Sequence, residues 1–276
     1  MLQSRIKKYV VGLTEQETKF INTHSNIQQL RKIFVKKIYD DEFGNKINEN
    51  RNVFALLNGI FDLKLGTLRK TNPRDYVMTC AGWKYCKNEL ARLMDDVVDI
   101  FAKILPTKDE QLVLLTFITS MLYGYCVDKK FLILTDKWSG NNGKSRLLAL
   151  LREFFGDYLK SSTKFFCKGH FDKDNDSHDA GLEPMKGKRV VLADELKFMR
   201  LDDALVKNLA GGHYAAEGHR IGVLDQLKFT WQAGIIMVFN EGDCPTFDPS
   251  DIAFMERMLV CPMRSKFVVC DLGDED

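Results

Sequence analysis

The second half of the sequence predicts an α/β fold with a parallel sheet, preceded by a smaller, mainly helical domain. Three short apolar runs, at residues 130–135, 189–195 and 234–241, each end in polar residues and are separated by segments of helical character. Continuously apolar runs of this length are typical of strands buried on both faces of a parallel sheet. We place the domain boundary near residue 125, which gives domains of residues 1–125 and 126–276.

The first domain is predicted to be helical at both ends, with short strands between them. Residues 26–39 carry their apolar side chains on one helical face, and residues 88–105 repeat this spacing until Pro106 stops it. A further helix is expected at roughly residues 109–124. Between these helices, residues 53–70 alternate apolar stretches with turn residues, as in short strands joined by turns.

Composition narrows the class of protein. With 45% hydrophobic residues over 276 positions, the chain can bury one large core or two modest ones. A net charge of +2 means that any nucleic-acid surface must be local. Seven cysteines without Cys-x-x-Cys spacing favour reduced, mostly buried thiols in an intracellular protein over disulfides or zinc. The first residues are polar and lack the apolar core of a signal peptide, so none is expected, and no apolar run approaches the length of a membrane span.

A phosphate-binding loop is predicted between the first apolar run and the helix that follows it. Trp138 stands where the usual template has its first glycine, so the strict pattern fails, and a chance turn is the alternative. Backbone N–H groups at a helix N-terminus bind phosphate, Lys144 is placed to reach the β- and γ-phosphates of ATP, and Ser145 to hold Mg²⁺. The predicted nucleotide-binding residues are Gly140, Asn141, Asn142, Gly143, Lys144 and Ser145.

The carboxyl ends of the later runs supply further candidate residues. Asp194 is predicted to hold Mg²⁺ and Glu195 to polarise the attacking water, unless both are merely solvated acids. Asn240 is a candidate to orient that water or contact the γ-phosphate, against an ordinary turn asparagine. Arg257, in a segment that looks like an apolar helix, is a candidate arginine finger, and a structural ion pair with Glu256 is its alternative.

Taken together and in this order, these elements resemble a superfamily 3 helicase core, and more closely that of the poxvirus-type primase-helicases of large cytoplasmic DNA viruses. Residues 56–85, 184–196, 206–214 and 247–267 each resemble a segment of that family. The resemblance implies a modified AAA+ ATPase domain, preceded by part of a collar-like helical domain and assembled as a hexameric ring. It further implies an ATP-driven DNA helicase that acts in viral replication in the host cytoplasm, beside a primase domain or other replication proteins.

The resemblance also implies a hairpin that lines a central channel and contacts single-stranded or forked DNA. Gly218 and Gly222 suit the tip of such a hairpin, where His219 and Arg220 are candidates for phosphate contacts. A surface turn with incidental basic residues is the alternative. Lys207 is a weaker DNA-binding candidate, because a lysine on a helix can equally face solvent.

Two other functions stay open at this stage. One is a ring-forming assembly or packaging ATPase that unwinds nothing, and the other is a P-loop kinase acting on a small molecule. The kinase is disfavoured because the acids, the asparagine and the arginine after the loop have no purpose in it. Residues 168–179 hold two histidines among acids, but their mixed spacing favours a solvated loop over a metal site.

Overall fold

The chain divides into two compact units, residues 1–44 and 45–276. The predicted domain boundary near residue 125 falls within the second unit, and it stays a prediction. The computed structural model describes residues 16, 23–38, 43–125, 128–136, 140–169, 182–212, 215–219 and 226–268.

The described helices and strands agree in position with most of those predicted. In chain order the helices are α1 (His24–Ile38), α2 (Phe43–Lys46), α3 (Lys87–Ile104), α4 (Lys108–Leu122), α5 (Lys144–Phe155), α6 (Asp203–Ala210) and α7 (Ile252–Met255). The strands are β1 (Val53–Leu56), β2 (Gly59–Asp62), β3 (Thr67–Arg69), β4 (Phe131–Thr135), β5 (Leu159–Ser161), β6 (Val190–Asp194), β7 (Ala215–His219), β8 (Gln226–Thr230), β9 (Gly234–Val238) and β10 (Met258–Pro262).

The main sheet has five parallel strands in the order β10–β4–β9–β6–β5, which confirms the predicted α/β class. The three apolar runs recognised in the sequence are β4, β9 and β6, the three central strands of this sheet. Their side chains alternate between two buried faces, so both faces need apolar residues. Leu132 and Leu134 join the cluster that includes Leu148 of α5, whereas Ile133 joins the cluster that includes Val206 of α6.

Arg257 does not lie on a helix, contrary to the prediction. Helix α7 is a single turn, begun by Asp251, whose carboxylate accepts the N–H of Phe254 at 3.0 Å. The chain then turns at Arg257 and enters the edge strand β10. A short apolar run that ends in Pro262 fits an edge strand better than a helix interior, where proline removes a hydrogen bond and clashes with the preceding turn.

A small antiparallel sheet, β1–β2–β3, packs against the core of the second unit through aromatic residues. The rings of Phe54 and Tyr158 stack with their centroids 4.5 Å apart. The N–H of Ala55 donates to the hydroxyl of Tyr158 at 2.9 Å. Stacking and this hydrogen bond together fix β1 beside the end of α5, because Tyr158 lies three residues beyond Phe155.

Arg189, directly before β6, is a buried cation that joins the segment ahead of β1 to the main sheet. It is 1% exposed, and its guanidinium donates to the Gln232 side chain at 2.7 Å. The same group donates to the carbonyls of Asn50, Arg51 and Val53 at 3.1–3.3 Å. Burial lowers the pKa of Arg189 to about 10, so the side chain keeps its charge at neutral pH.

Cysteines in the described ranges are free thiols: Cys80, Cys86, Cys167, Cys244 and Cys261. The expectation that most thiols are buried is wrong for these residues, because Cys261 is the buried member and Cys86 and Cys244 are exposed. Within the same ranges, no helix has the length and apolar character needed to cross a membrane. Most of the acidic, histidine-containing segment 168–179 lies outside the described residues.

Candidate nucleotide-binding site

Several of the predicted site residues lie at one edge of the main sheet. Strands β4, β9 and β6 are neighbours and run parallel, so their carboxyl ends meet at the same edge. Asp136 directly follows β4, Asn240 lies two residues beyond the end of β9, and Asp194 is the last residue of β6. Ligands of open α/β sheets bind at this edge.

The predicted strand–loop–helix order is present. Gly143 caps the amino end of α5, and the N–H of Lys144 donates to the side-chain oxygen of Asn142 at 3.2 Å. Left-handed backbone, which favours glycine, is adopted by Gly140 (φ +89°), Asn141 (φ +54°) and Gly143 (φ +88°). Trp138 lies outside the described residues, so its effect on the loop stays untested.

The side chain of Lys144 is held by two polar residues. Its Nζ lies 2.8 Å from Oδ2 of Asp136 and 2.5 Å from Oδ1 of Asn240. The amide of Asn142 donates to the same oxygen of Asp136. The Lys144 side chain is 11% exposed and that of Asp136 is fully buried, so water screens this ion pair weakly. Sequence patterns predicted Lys144, Asn142 and Asn240 but not Asp136, although it is an acid directly after an apolar strand.

The two predicted acids differ in their surroundings. The Asp194 carboxylate lies 3.4 Å from the guanidinium of Arg152, and both side chains are partly exposed. The hydroxyl of Thr163 donates to the Asp194 carbonyl at 2.6 Å, which fixes the backbone there. Glu195 is exposed and has φ +59°, and its N–H donates to Val238 at 3.1 Å. An exposed ion pair such as Asp194–Arg152 is weak, so a cation can displace the arginine.

The donor chemistry here fits Mg²⁺ bound together with a nucleotide. Ser145 is exposed in the first turn of α5, and Asp194 ends a nearby strand, so a hydroxyl and a carboxylate oxygen are offered. Within the described residues, no group of three or more His, Cys, Asp or Glu side chains could hold a metal. Mg²⁺ normally takes one or two protein oxygens plus phosphates and waters, so this sparse set is sufficient.

Residues 263–268 pack against the phosphate loop, a contact that no sequence pattern predicted. After β10, the N–H of Met263 donates to Thr135 at 2.7 Å, and that of Phe267 donates to Asn141 at 2.6 Å. A Cβ atom on Gly143 would lie 3.2 Å from the Phe267 ring, so the contact is close. Residues 263–268 therefore support the phosphate loop from outside the predicted motif.

Arg257 does not lie at the carboxyl edge of the sheet with these residues. Its carbonyl accepts the N–H of Phe131 at 2.9 Å, which places it at the amino end of β4. Its Nη1 donates to the carbonyl of Ala253 at 2.6 Å. Asp136 lies five positions beyond Phe131 along β4, or about 16 Å at ~3.3 Å per residue. A role for Arg257 as a finger stays a prediction.

The predicted hairpin is present as the antiparallel pair β7–β8, in which His219 pairs with Gln226. Gly218 is not at its tip, because it pairs with Leu227 inside the ladder. Arg220 and Gly222 lie outside the described residues. On α6, the ammonium of Lys207 forms an ion pair with Asp251 at the start of α7. That pair joins two elements of the fold, and contact of Lys207 or His219 with DNA stays a prediction.

Comparison with curated proteins finds relatives among large DNA viruses. The chain is 28% identical over 233 residues to "Putative helicase L207/L206" of Acanthamoeba polyphaga mimivirus, and the match covers 83% of this chain and 23% of the relative. It is 27% identical over 251 residues to "Putative helicase 184R" of Invertebrate iridescent virus 6, covering 86% and 25%. The chain thus spans about a quarter of the length of these relatives.

Solved structures give more distant matches, and no protein-family profile matches the chain. The C-terminal region of NrS-1 superposes with a TM-score of 0.44 at 16% identity, covering 62% of this chain and 38% of that one. The JCV helicase superposes with a TM-score of 0.41 at 17% identity, covering 60% and 44%. In sequence, the chain is similar to proteins named as putative helicases in two large DNA viruses.

Proposed function

We propose that the chain is the motor core of a viral DNA helicase, which hydrolyses ATP with Mg²⁺ to move along DNA. The observation that carries this proposal is the meeting of Lys144, Asn240 and Asp194 at the carboxyl edge of three adjacent parallel strands. A phosphate-binding lysine, a polar residue at its ammonium and an acid for the metal are what nucleotide hydrolysis requires. The similarity to the two viral helicases supports the same function.

Within the site, each residue has a separate task. The loop from Gly140 to Gly143 and the amino end of α5 bind the phosphates, and Lys144 neutralises their charge. Asp194 and Ser145 hold Mg²⁺, which stabilises charge on the phosphate oxygens when it is bound. Glu195, exposed beside Asp194, takes the proton of the attacking water, and Asn240 orients that water.

Assembly into a ring, hexameric as the family resemblance implies, supplies the remaining catalytic group. Arg257 cannot reach the phosphate loop of its own chain, because the two lie at opposite ends of β4. In a ring, the amino edge of one subunit can face the carboxyl edge of the next. Arg257 would then stabilise the γ-phosphate of its neighbour, as arginine fingers do in trans.

The β7–β8 hairpin, which lies between β6 and β9 in the sequence, makes the contact with DNA. Its described strands carry His219 at the end nearest the tip, and Arg220 follows directly. Binding of this kind follows the phosphate backbone and weakens with salt. A primase domain or other replication proteins are the partners that the family resemblance implies for this motor.

The test is strand separation. Purified protein is incubated with ATP, Mg²⁺ and a labelled forked duplex, and ATP hydrolysis is measured with and without single-stranded DNA. The proposal expects DNA-stimulated hydrolysis and release of the labelled strand, with both lost in Lys144→Ala. Hydrolysis without unwinding would instead favour an assembly or packaging ATPase, and phosphate transfer to a small molecule would favour a kinase.

A further inference from the structure

Asp136 is the least expected member of the site. It is 2% exposed, it directly follows the buried strand β4, and it lies where the phosphate loop begins. Its backbone carbonyl accepts the N–H of Glu241 at 2.9 Å, which ties it to the chain after β9. The carboxylate itself is fully buried and is held by its contacts with Lys144 and Asn142.

The charge of this carboxylate is balanced almost entirely by Lys144. Oδ2 accepts from the Lys144 ammonium at 2.8 Å and from the Asn142 amide. Oδ1 is buried and has no hydrogen-bond partner among the described residues. A buried carboxylate that loses its cation is left with an uncompensated charge, which is strongly unfavourable.

We propose that Asp136 is a positioning residue that holds Lys144 in the empty site and competes with the nucleotide for its ammonium. This inference rests on the proposed function, because it needs a phosphate to compete with. When the β- and γ-phosphates bind, Lys144 must share its charge between them and Asp136. The negative charges of the carboxylate and the phosphates then repel each other in a poorly solvated site.

The consequence is a site that binds both ATP and ADP less tightly than its loop alone would allow. The Asp136 carboxylate pairs with Lys144 and Asn142 and, among the described residues, has no hydrogen bond to Glu195 or Asn240, so its effect is expected on binding and not on the chemical step. Weaker binding of ADP favours product release, a step that limits the turnover of many enzymes. Asp136 thus positions Lys144 before the nucleotide binds, and it lowers the affinity of the site for that nucleotide.

The decisive variant is Asp136→Asn, which keeps the size of the side chain and its acceptor for Asn142 but removes the charge. Dissociation constants for ATP and ADP, measured by calorimetry, should both fall roughly tenfold, since like-charge juxtaposition is costly. The KM for ATP should fall with them, while kcat stays within about twofold or rises if ADP release limits it. Asp136→Ser removes the same charge with a smaller side chain and is measured in parallel in case the amide does not fit.

Glu241→Gln is the matched control. It removes a negative charge at the same edge of the sheet, but from an exposed side chain that water and salt screen. Nucleotide affinity should therefore change little in this variant. An affinity of Asp136→Asn equal to or weaker than that of the wild type overturns the inference and leaves the proposed function intact. If the wild type itself binds neither ATP nor ADP, the proposed function fails first.

Discussion

Replacing Lys144 by alanine should destabilise the empty protein as well as abolish ATP hydrolysis. The change leaves the fully buried Asp136 carboxylate without its cation. Breaking a buried ion pair in this way costs about 3–5 kcal/mol. The lower end applies here, because the Asn142 amide still donates to the carboxylate and the shortened side chain admits water. For a unit of this size, a loss of about 3 kcal/mol lowers the melting temperature by roughly 6–12 °C.

Circular dichroism during thermal unfolding, without nucleotide, measures this loss. The double variant Lys144→Ala/Asp136→Asn should regain most of it, because the stranded charge is gone, and yet remain unable to hydrolyse ATP. Lys103→Ala is the control, since its pair with Asp99 is exposed and worth less than about 1 kcal/mol. A melting temperature for Lys144→Ala within error of the wild type would refute the reasoning, as would a double variant no more stable than Lys144→Ala.

Three further changes probe other parts of the molecule. Glu195→Gln should bind ATP normally but hydrolyse it about 10²–10⁴-fold more slowly in a turnover assay, the usual size of a general-base effect. Arg189→Met should lower the free energy of unfolding, measured in urea, by at least about 3 kcal/mol, because several carbonyl oxygens lose their donor. A loss below about 1 kcal/mol would contradict this role of Arg189. Arg257→Ala should lose ATPase activity by roughly 10³-fold while its ATP affinity, measured by calorimetry, stays close to that of the wild type.

Sequence patterns predict some strands of the main sheet and not others. β4, β6 and β9 were predictable because a run of four or five apolar residues between polar ends fits a strand buried on both faces. β10 was not predictable, because only two residues separate its apolar run from that of α7. Periodicity cannot distinguish helix from strand over so few residues. β5 is only three residues long and contains a lysine, so nothing in its composition marks it as part of a sheet.

The candidate site, too, could be predicted only in part from the sequence. Lys144 and Ser145 were predictable from local spacing, and Asp194 and Asn240 from their positions after apolar strands. Asp136 was missed because the phosphate-loop template assigns no task to that position, and because its role depends on pairing within the folded loop. The contact of residues 263–268 with the loop joins segments more than 120 positions apart, which no local pattern reveals.

The position of Arg257 makes the proposed ring testable by mixing two inactive proteins. Parallel pairing of β10 with β4 places Met258 beside Phe131, so Arg257 lies at the amino edge of the sheet while the phosphate loop begins at its carboxyl edge. If Arg257 completes the site of a neighbouring subunit as proposed, a monomer holds no complete site, and wild-type specific activity should rise with protein concentration. Arg257→Ala supplies an intact loop and Lys144→Ala supplies an intact arginine, so a mixture forms some interfaces that contain both. Partial recovery of activity is then expected, whereas constant specific activity on dilution together with no recovery on mixing would mean that Arg257 serves the fold through its bond to Ala253.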